Sequence, residues 1–332
     1  LSELRRALPF SRKTNPLVLG PGDDAALWRP SRGCETVLTC DLLAEGVHFD
    51  LRHTSAWELG AKAAAVNLSD LASMGAQPRL FLVSVALPAR AGLGRAWLAD
   101  FHAGLHAWMG AFGAQAAGGD LSGSKGGVFI DVCAIGEVER GRAMRRSAAR
   151  PGDVVFVSGP LGGAAAGLAL QRSKSLSRGV DAAWAEQLRR KQRLPLPQVL
   201  AGRWLLQERA ARACIDISDG LASEAWHLSR ESGVRLDLDL DAIPLAPGVA
   251  RVASLQGLRP ADFALDGGED YELLFTVPAG AGARVRDRMA HYTGCAPAAI
   301  GVVARGRGVR LRRAKGRPFR ALRDGGYEHF RG

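Results

Sequence analysis

Along the first half of the chain, short apolar runs alternate with longer stretches whose apolar residues recur every three to four positions. Residues 36–40 read as a short strand ending at Asp41. Ser55 then opens a helix, and Glu58, three residues on, completes a capping box. An alanine-rich stretch carries that helix to about Met74, where Gly75 stops it. Residues 79–86 fit a buried strand. Residues 96–112 set Leu98, Phe101, Leu105, Trp108, Met109 and Phe112 at helical spacing. Residues 128–138 return to strand character.

Charges, small residues and a Pro-Gly pair interrupt the pattern over residues 140–152, and a second α/β unit follows. Residues 154–158 predict a strand and 162–170 the helix after it, while 173–179 read as a flexible loop. Residues 214–218 predict a strand, 219–232 a helix, and 234–240, 271–277 and 300–303 further strands. At 332 residues the chain exceeds what one core usually holds. The expectation is a mixed α+β protein of two domains, residues 1–140 and 141–332.

Composition changes this picture little. The apolar fraction is 47%, and no run approaches the roughly 20 apolar residues of a membrane span. The chain begins without Met, and its first residues lack the apolar core of a signal peptide. Cys34, Cys40, Cys133, Cys214 and Cys295 are far apart with no Cys-x-x-Cys pair, which suits reduced, mostly buried thiols in the cytoplasm. The net charge of +11 concentrates at Arg145–Arg146, 189–193 and 305–320, without the interleaved aromatics of a single-strand-binding surface.

The informative feature is a set of aspartates at strand ends or in glycine-rich turns. They are Asp23 and Asp24, Asp41, Asp70, Asp120 after Gly118-Gly119, Asp216 and Asp219, and Asp266 and Asp270 around Gly267-Gly268-Glu269. Asp70 shares a helix face with Asn67, a polar stripe in an alanine-rich helix that calls for water or a ligand. Two like charges about 4 Å apart repel by about 4 kcal/mol at an effective dielectric near 20, so converging carboxylates call for a cation. Oxygen donors without neighbouring His or Cys favour Mg²⁺. Any one of these aspartates serves as well in an Asx turn or a helix cap, and the pattern alone leaves both readings open.

No Walker loop, dinucleotide fingerprint or protein-kinase signature is present. His102 and His106 are four apart on a helix without the glutamate of a zinc protease, and read as structural or solvent-facing. Gly159-Pro-Leu-Gly-Gly ahead of a helix can present N–H groups to an anion, or simply form a tight turn.

In order, the chain carries Gly22-Asp-Asp-Ala-Ala, Thr39-Cys-Asp, Glu45-Gly-Val-His-Phe, Ala65-Val-Asn-Leu-Ser-Asp-Leu-Ala-Ser-Met-Gly-Ala and Gly118-Gly-Asp. Arg146-Ser, Pro151-Gly-Asp, Asp216-Ile-Ser-Asp-Gly-Leu, Gly267-Gly-Glu-Asp-Tyr-Glu-Leu and Gly326-Tyr-Glu-His-Phe follow. This series resembles the thiamine-monophosphate kinases, within the wider superfamily of aminoimidazole ribonucleotide synthetase and selenophosphate synthetase. The resemblance implies ATP- and Mg²⁺-dependent conversion of thiamine monophosphate to thiamine diphosphate, the last step in making that cofactor. It implies several Mg²⁺ ions, no general base, and a cytoplasmic homodimer joined through the N-terminal sheets. By the same resemblance, Asp24, Thr39, Cys40, Asp41, Asp70, Asp120, Asp216 and Asp219 match metal contacts. Gly119, Asp120, Arg146 and Ser218 match nucleotide contacts, and His48, Glu269 and Tyr327 match thiamine phosphate contacts.

Each position makes chemical sense. Arg146 is an always-charged fork for phosphate oxygens. Glu269 can face a cationic thiazolium, and Tyr327 can stack on a ring or simply pack. His48, beside Phe49, can bond the substrate or fill the core. Three departures stand out: Cys40 where the family usually has Thr, Gly123-Ser-Lys-Gly in place of a shorter turn, and Gln198 where Arg is common. The alternatives are a superfamily cousin activating another substrate, or a basic nucleic-acid-binding protein with steeply salt-dependent affinity. The kinase reading expects neither nucleic acid nor membrane as partner.

Overall fold

The structure, a computed structural model of the 332-residue chain, describes residues 17–90, 92–294, 296–313 and 316–323. It divides into two compact units, one of residues up to Leu71 with Ala76–Ala143, the other of Ala72–Gly75 with Met144 onward.

In the first unit, β1 (Leu17–Leu19) pairs with β2 (Leu27–Trp28). A four-stranded sheet follows, in the order β3 (Cys34–Ala44), β6 (Phe129–Glu139), β4 (Gln77–Pro88) and β5 (Gln115–Ser124). Only β4 and β5 run parallel among these neighbours. Among the described residues two helices accompany the sheet, α1 (Ala56–Ser73) and α2 (Arg95–Ala111). The capping box at the start of α1 is present: Ser55 N–H donates to Glu58 Oε2 (2.9 Å) and Glu58 N–H to Ser55 Oγ (3.2 Å). Every residue from Leu59 to Ser69 is buried, as expected of a helix apolar nearly all round. Lys62 is buried with them, and its ammonium donates to the His48 carbonyl at 2.9 Å.

The two helices touch backbone to backbone. A Cβ on Gly60 would fall 1.9 Å from the Phe101 carbonyl oxygen, and one on Gly104 would fall 1.9 Å from that of Trp57. Only glycine permits this approach.

The second unit holds a seven-stranded sheet. Its order is β13 (Arg320–Ala321), β12 (Gly308–Arg312), β9 (Arg235–Asp239), β11 (Ala298–Ala304), β7 (Val154–Val157), β10 (Leu273–Val277) and β8 (Cys214–Asp216). The helices are α3 (Gly163–Arg172), α4 (Lys174–Arg178), α5 (Ala182–Arg193), α6 (Val199–Gln207), α7 (Leu221–Ser232), α8 (Val249–Gln256), α9 (Pro260–Leu265) and α10 (Gly282–Thr293). A core of Val155, Val157, Ile215, Leu221, Leu228, Leu236 and Leu274 packs α7 against the sheet.

The fold is mixed α+β, and several local expectations are corrected. Residues 173–179 contain α4, because the Ser173 hydroxyl accepts the Leu176 N–H and Leu176 is buried. The strand expected to end at Asp41 continues to Ala44, paired throughout with β6. The Gly118-Gly119-Asp120 turn is strand β5, where Ser84 pairs with Asp120. The helix expected from Asp219 starts at Leu221. The cysteines are less buried than expected: of the four described, all free, Cys214 is buried and Cys40 exposed. Tyr327 and Cys295 lie outside the described residues.

Candidate active site

In the first unit, alternation along β3 divides the expected metal contacts between the sheet's two faces. Thr39 and Asp41 share the face of buried Val37 and Leu43. On that side the Thr39 hydroxyl donates to Asp70 Oδ2 on α1. Thr39, Asp41 and Asp70 are all half-buried. Asn67 is fully buried, so the stripe expected to face water or a ligand holds only Asp70 at its edge. The Asn67 amide donates to the Ala63 carbonyl (3.1 Å), while its own oxygen is buried with no partner.

Cys40 points to the opposite face. It pairs across the strands with Cys133 and donates to Asp131 Oδ1 at 3.2 Å. Local desolvation, then the neighbouring Asp131 carboxylate, pushes its thiol up to about 11, so the side chain is a neutral thiol at physiological pH. Asp120 shares this face, since Asp131 and Asp120 both pair with Ser84, and it is exposed. Gly119 lies against β4, where a Cβ would fall 2.1 Å from the Val83 carbonyl oxygen. Asp24 is exposed in a turn, and its N–H is held by Asp23 Oδ1 at 2.9 Å.

His48 turns back on its own loop, its Nδ1 accepting the Ala44 N–H at 3.0 Å. An open groove of about 590 Å³ lies in the same unit, lined by Glu45, Asp50, Arg52, Arg90 and Trp97 among others. Glu45 bonds Arg90 (2.8 Å) and the Val128 N–H (2.9 Å), which ties this loop to the sheet. None of the expected metal contacts lines the groove. His102 and His106 pack edge-on against Phe101 and Phe81, and burial lowers both, His106 to about 4.

The second unit gathers Asp216, Ser218, Asp219 and Glu269 into one knot. Asp216 is buried at the end of β8. Ile217 N–H donates to the Glu272 carbonyl (2.7 Å), Glu269 N–H to the Ser218 carbonyl (2.7 Å) and Tyr271 N–H to the Ile217 carbonyl (2.8 Å). Glu269 and Tyr271 sit in the left-handed region, at φ 70° and 50°. Such strain persists only where surrounding contacts over-determine it. Here Asp270 between them and Glu272 after them supply the contacts. Asp270 accepts Gly162 N–H (2.6 Å) and Ala164 N–H (3.3 Å) at the start of α3. Glu272 Oε2 accepts the Ser158 hydroxyl at 2.5 Å. Burial pushes Asp270 up to about 6 and Glu272 up to about 7, against the opposing charge of Lys191 on α5. Of the Gly159-Pro-Leu-Gly-Gly amides, which sequence offered to an outside anion, that of Gly162 thus already meets Asp270 and that of Leu161 meets the Pro244 carbonyl.

Sequence reasoning missed Glu224. It is buried in the first turn of α7, and its Oε1 accepts the Ser218 N–H, the Ser218 hydroxyl and the Asp219 N–H at 3.2, 3.2 and 2.9 Å. Burial raises its carboxyl, and its other oxygen is buried with no partner. An acid four residues past Gly220 in a helix's first turn was the available signal. Arg146 is exposed in a short turn whose carbonyl accepts the Ser232 hydroxyl at 2.6 Å. Among the described residues no three His, Cys, Asp or Glu side chains are arranged to hold a metal ion, and no helix is long and apolar enough to cross a membrane.

Family models match both halves: the N-terminal domain of AIR synthase related proteins over residues 22–138, and their C-terminal domain over 150–313. Thiamine-monophosphate kinase of Salmonella typhimurium is 39% identical over 78% of this chain and 76% of its own. The crystal structure of thiamine-monophosphate kinase from Stenotrophomonas maltophilia superposes with a TM-score of 0.83 at 35% identity, covering 93% of this chain and 94% of that one. AaThiL complexed with AMPPCP and TMP gives a TM-score of 0.76 at 31% identity, covering 91% and 89%.

Proposed function

The chain belongs to the thiamine-monophosphate kinase family of AIR synthase related proteins, and on that premise we propose that it phosphorylates thiamine monophosphate with ATP. An oxygen of the substrate phosphate bonds to the γ-phosphorus of ATP as the β–γ bridging bond breaks, giving thiamine diphosphate and ADP. The observation that carries this is the relative solved with AMPPCP and TMP, matched in fold over nine-tenths of this chain.

We assign metal binding and self-association to residues 1–140, and further nucleotide, metal and thiamine contacts to residues 141–332. The side-chain donors are nearly all oxygen, which fits Mg²⁺: Asp24, Thr39, Asp41, Asp70 and Asp120 in the first unit, Asp216 and Asp219 in the second. Cys40, a neutral thiol hydrogen-bonded to Asp131, would contribute through its main chain. Bound Mg²⁺ supplies neutralisation of the phosphate charges. Gly119, Asp120, Arg146 and Ser218 hold the nucleotide, Arg146 as an exposed fork on an anchored turn. His48, Glu269 and Tyr327 hold thiamine monophosphate. The attacking phosphate is already an anion, so positioning rather than proton removal carries the rate.

We also infer a homodimer, formed through the face of the first sheet that exposes Leu38, Leu42, Leu82 and Phe129. Four free cysteines among the described residues suit a cytoplasmic enzyme.

Purified protein incubated with ATP, Mg²⁺ and thiamine monophosphate should form thiamine diphosphate and ADP in equal amounts. EDTA, or Asp70→Ala, should abolish both products. ATP binding without thiamine diphosphate would overturn the kinase reading and direct the search to other substrates of the superfamily.

A further inference from the structure

The last turn of α5 presents two consecutive side chains to the loop that carries Glu269. Lys191 places its charge within electrostatic reach of both Asp270 and Glu272. Gln192, only 4% exposed, donates from Nε2 to Glu269 Oε2 at 3.2 Å. The Gln192 amide does not rotate freely, because its oxygen accepts Nε2–H of Gln171 on α3 at 2.9 Å. With the oxygen engaged on one side, the donor is held toward Glu269 on the other. The Glu269 backbone is fixed as well, by its left-handed φ and the bond to the Ser218 carbonyl. A carboxylate held at the main chain and at one oxygen is restricted in the directions it can take.

We propose that Gln192 is a positioning residue that aims the Glu269 carboxylate at the cationic part of thiamine monophosphate, and so sets the affinity for that substrate. This rests on the reading of Glu269 as a substrate contact. Gln192 itself touches no substrate. Its buried amide, oriented by Gln171, restricts Glu269 before the substrate arrives, so less freedom is lost on binding. Gln192 lies in a segment read from sequence only as a concentration of charge, and no motif marks it.

The test is steady-state kinetics of the wild type, Gln192→Met and Glu269→Gln, with thermal midpoints recorded for each. Methionine keeps the length of Gln192 and removes its donor. Losing one hydrogen bond to a charged group should raise KM for thiamine monophosphate about tenfold in Gln192→Met. Its kcat should stay within about twofold and its KM for ATP should not change. Combined with Glu269→Gln, the substitution should add little, since the two act on one contact. A lower thermal midpoint with unchanged KM would overturn the proposal and leave Gln192 a packing residue. If Glu269→Gln raises KM while Gln192→Met does not, the Gln192 role falls and the Glu269 contact stands. If Glu269→Gln leaves KM unchanged, both fall. A wild type that does not turn over would sink the kinase reading and the Gln192 role with it.

Discussion

Gly118-Gly119-Asp120 and Gly267-Gly268-Glu269-Asp270 are similar in residue order, yet the first lies within strand β5 and the second forms a loop in which Glu269, and Tyr271 after it, are left-handed. The glycines do the same job in both. A Cβ on Gly119 would fall 2.1 Å from the Val83 carbonyl oxygen, and one on Gly268 would fall 2.5 Å from that of Ser218. The acids differ. Asp120 is exposed on a sheet face, whereas Asp270 is buried against the first amides of α3. A carboxylate surrounded by N–H donors is already satisfied and supports the fold, while one facing solvent keeps its oxygens for a cation or a nucleotide.

Three substitutions can break or sharpen that contrast. Asp120→Asn should lower kcat/KM by about a hundredfold or more, the usual scale for removing one charged group from a transition-state cradle, with the thermal midpoint nearly unchanged. A stable protein with full activity would erase the distinction between the two motifs. Asp270→Ala should do the reverse. It strips the α3 amides and Lys191 of their buried partner, costing about 3 kcal/mol of stability. The midpoint should fall roughly 6–12 °C, as read by circular dichroism.

The third effect is smaller and depends on pH. Glu272 has its folded pKa raised to about 7 from an ordinary 4.5, so the folded state holds the proton more tightly. Its contribution to stability is fully present below about 4.5 and is lost as pH rises through about 7. Glu272→Gln removes this titration. The advantage of wild type over the variant should therefore shrink between pH 5 and pH 8. His102 and His106, lowered by burial, act in the opposite sense, but both proteins carry them and the difference cancels their effect. A difference that stays flat with pH would mean that Glu272 is not a buried acid.

The elements that sequence located well are those with one clear period. The capped, alanine-rich α1 announces itself, whereas β3 showed only its middle, residues 36–40 of Cys34–Ala44. Strand β5 did not announce itself, because Gly118, Gly119 and Ser122 lack strand propensity, and its pairing with β4 is decided by tertiary contact. Helix α4 was hidden in a Ser-rich stretch whose one apolar anchor is Leu176. The positions of the candidate residues along the chain were legible, but not their faces. Motif order cannot say that Cys40 points away from Asp41, which needs the strand to run on to Ala44. Nor can it separate Asp270, Glu272 and Glu224, whose oxygens meet backbone amides or a hydroxyl, from the acids left at the surface.

The contact between Gly60 and Gly104 gives the first unit a fixed gauge. Asp70 lies ten residues beyond Gly60 on α1, about 15 Å along the axis at the helical rise. A rigid helix pressed backbone to backbone against its neighbour hands any displacement at one end to the other. The aim of Asp70 toward Thr39 is thus calibrated at a spot with no charged or polar side chain. A single added methyl there would detune a carboxylate it never touches.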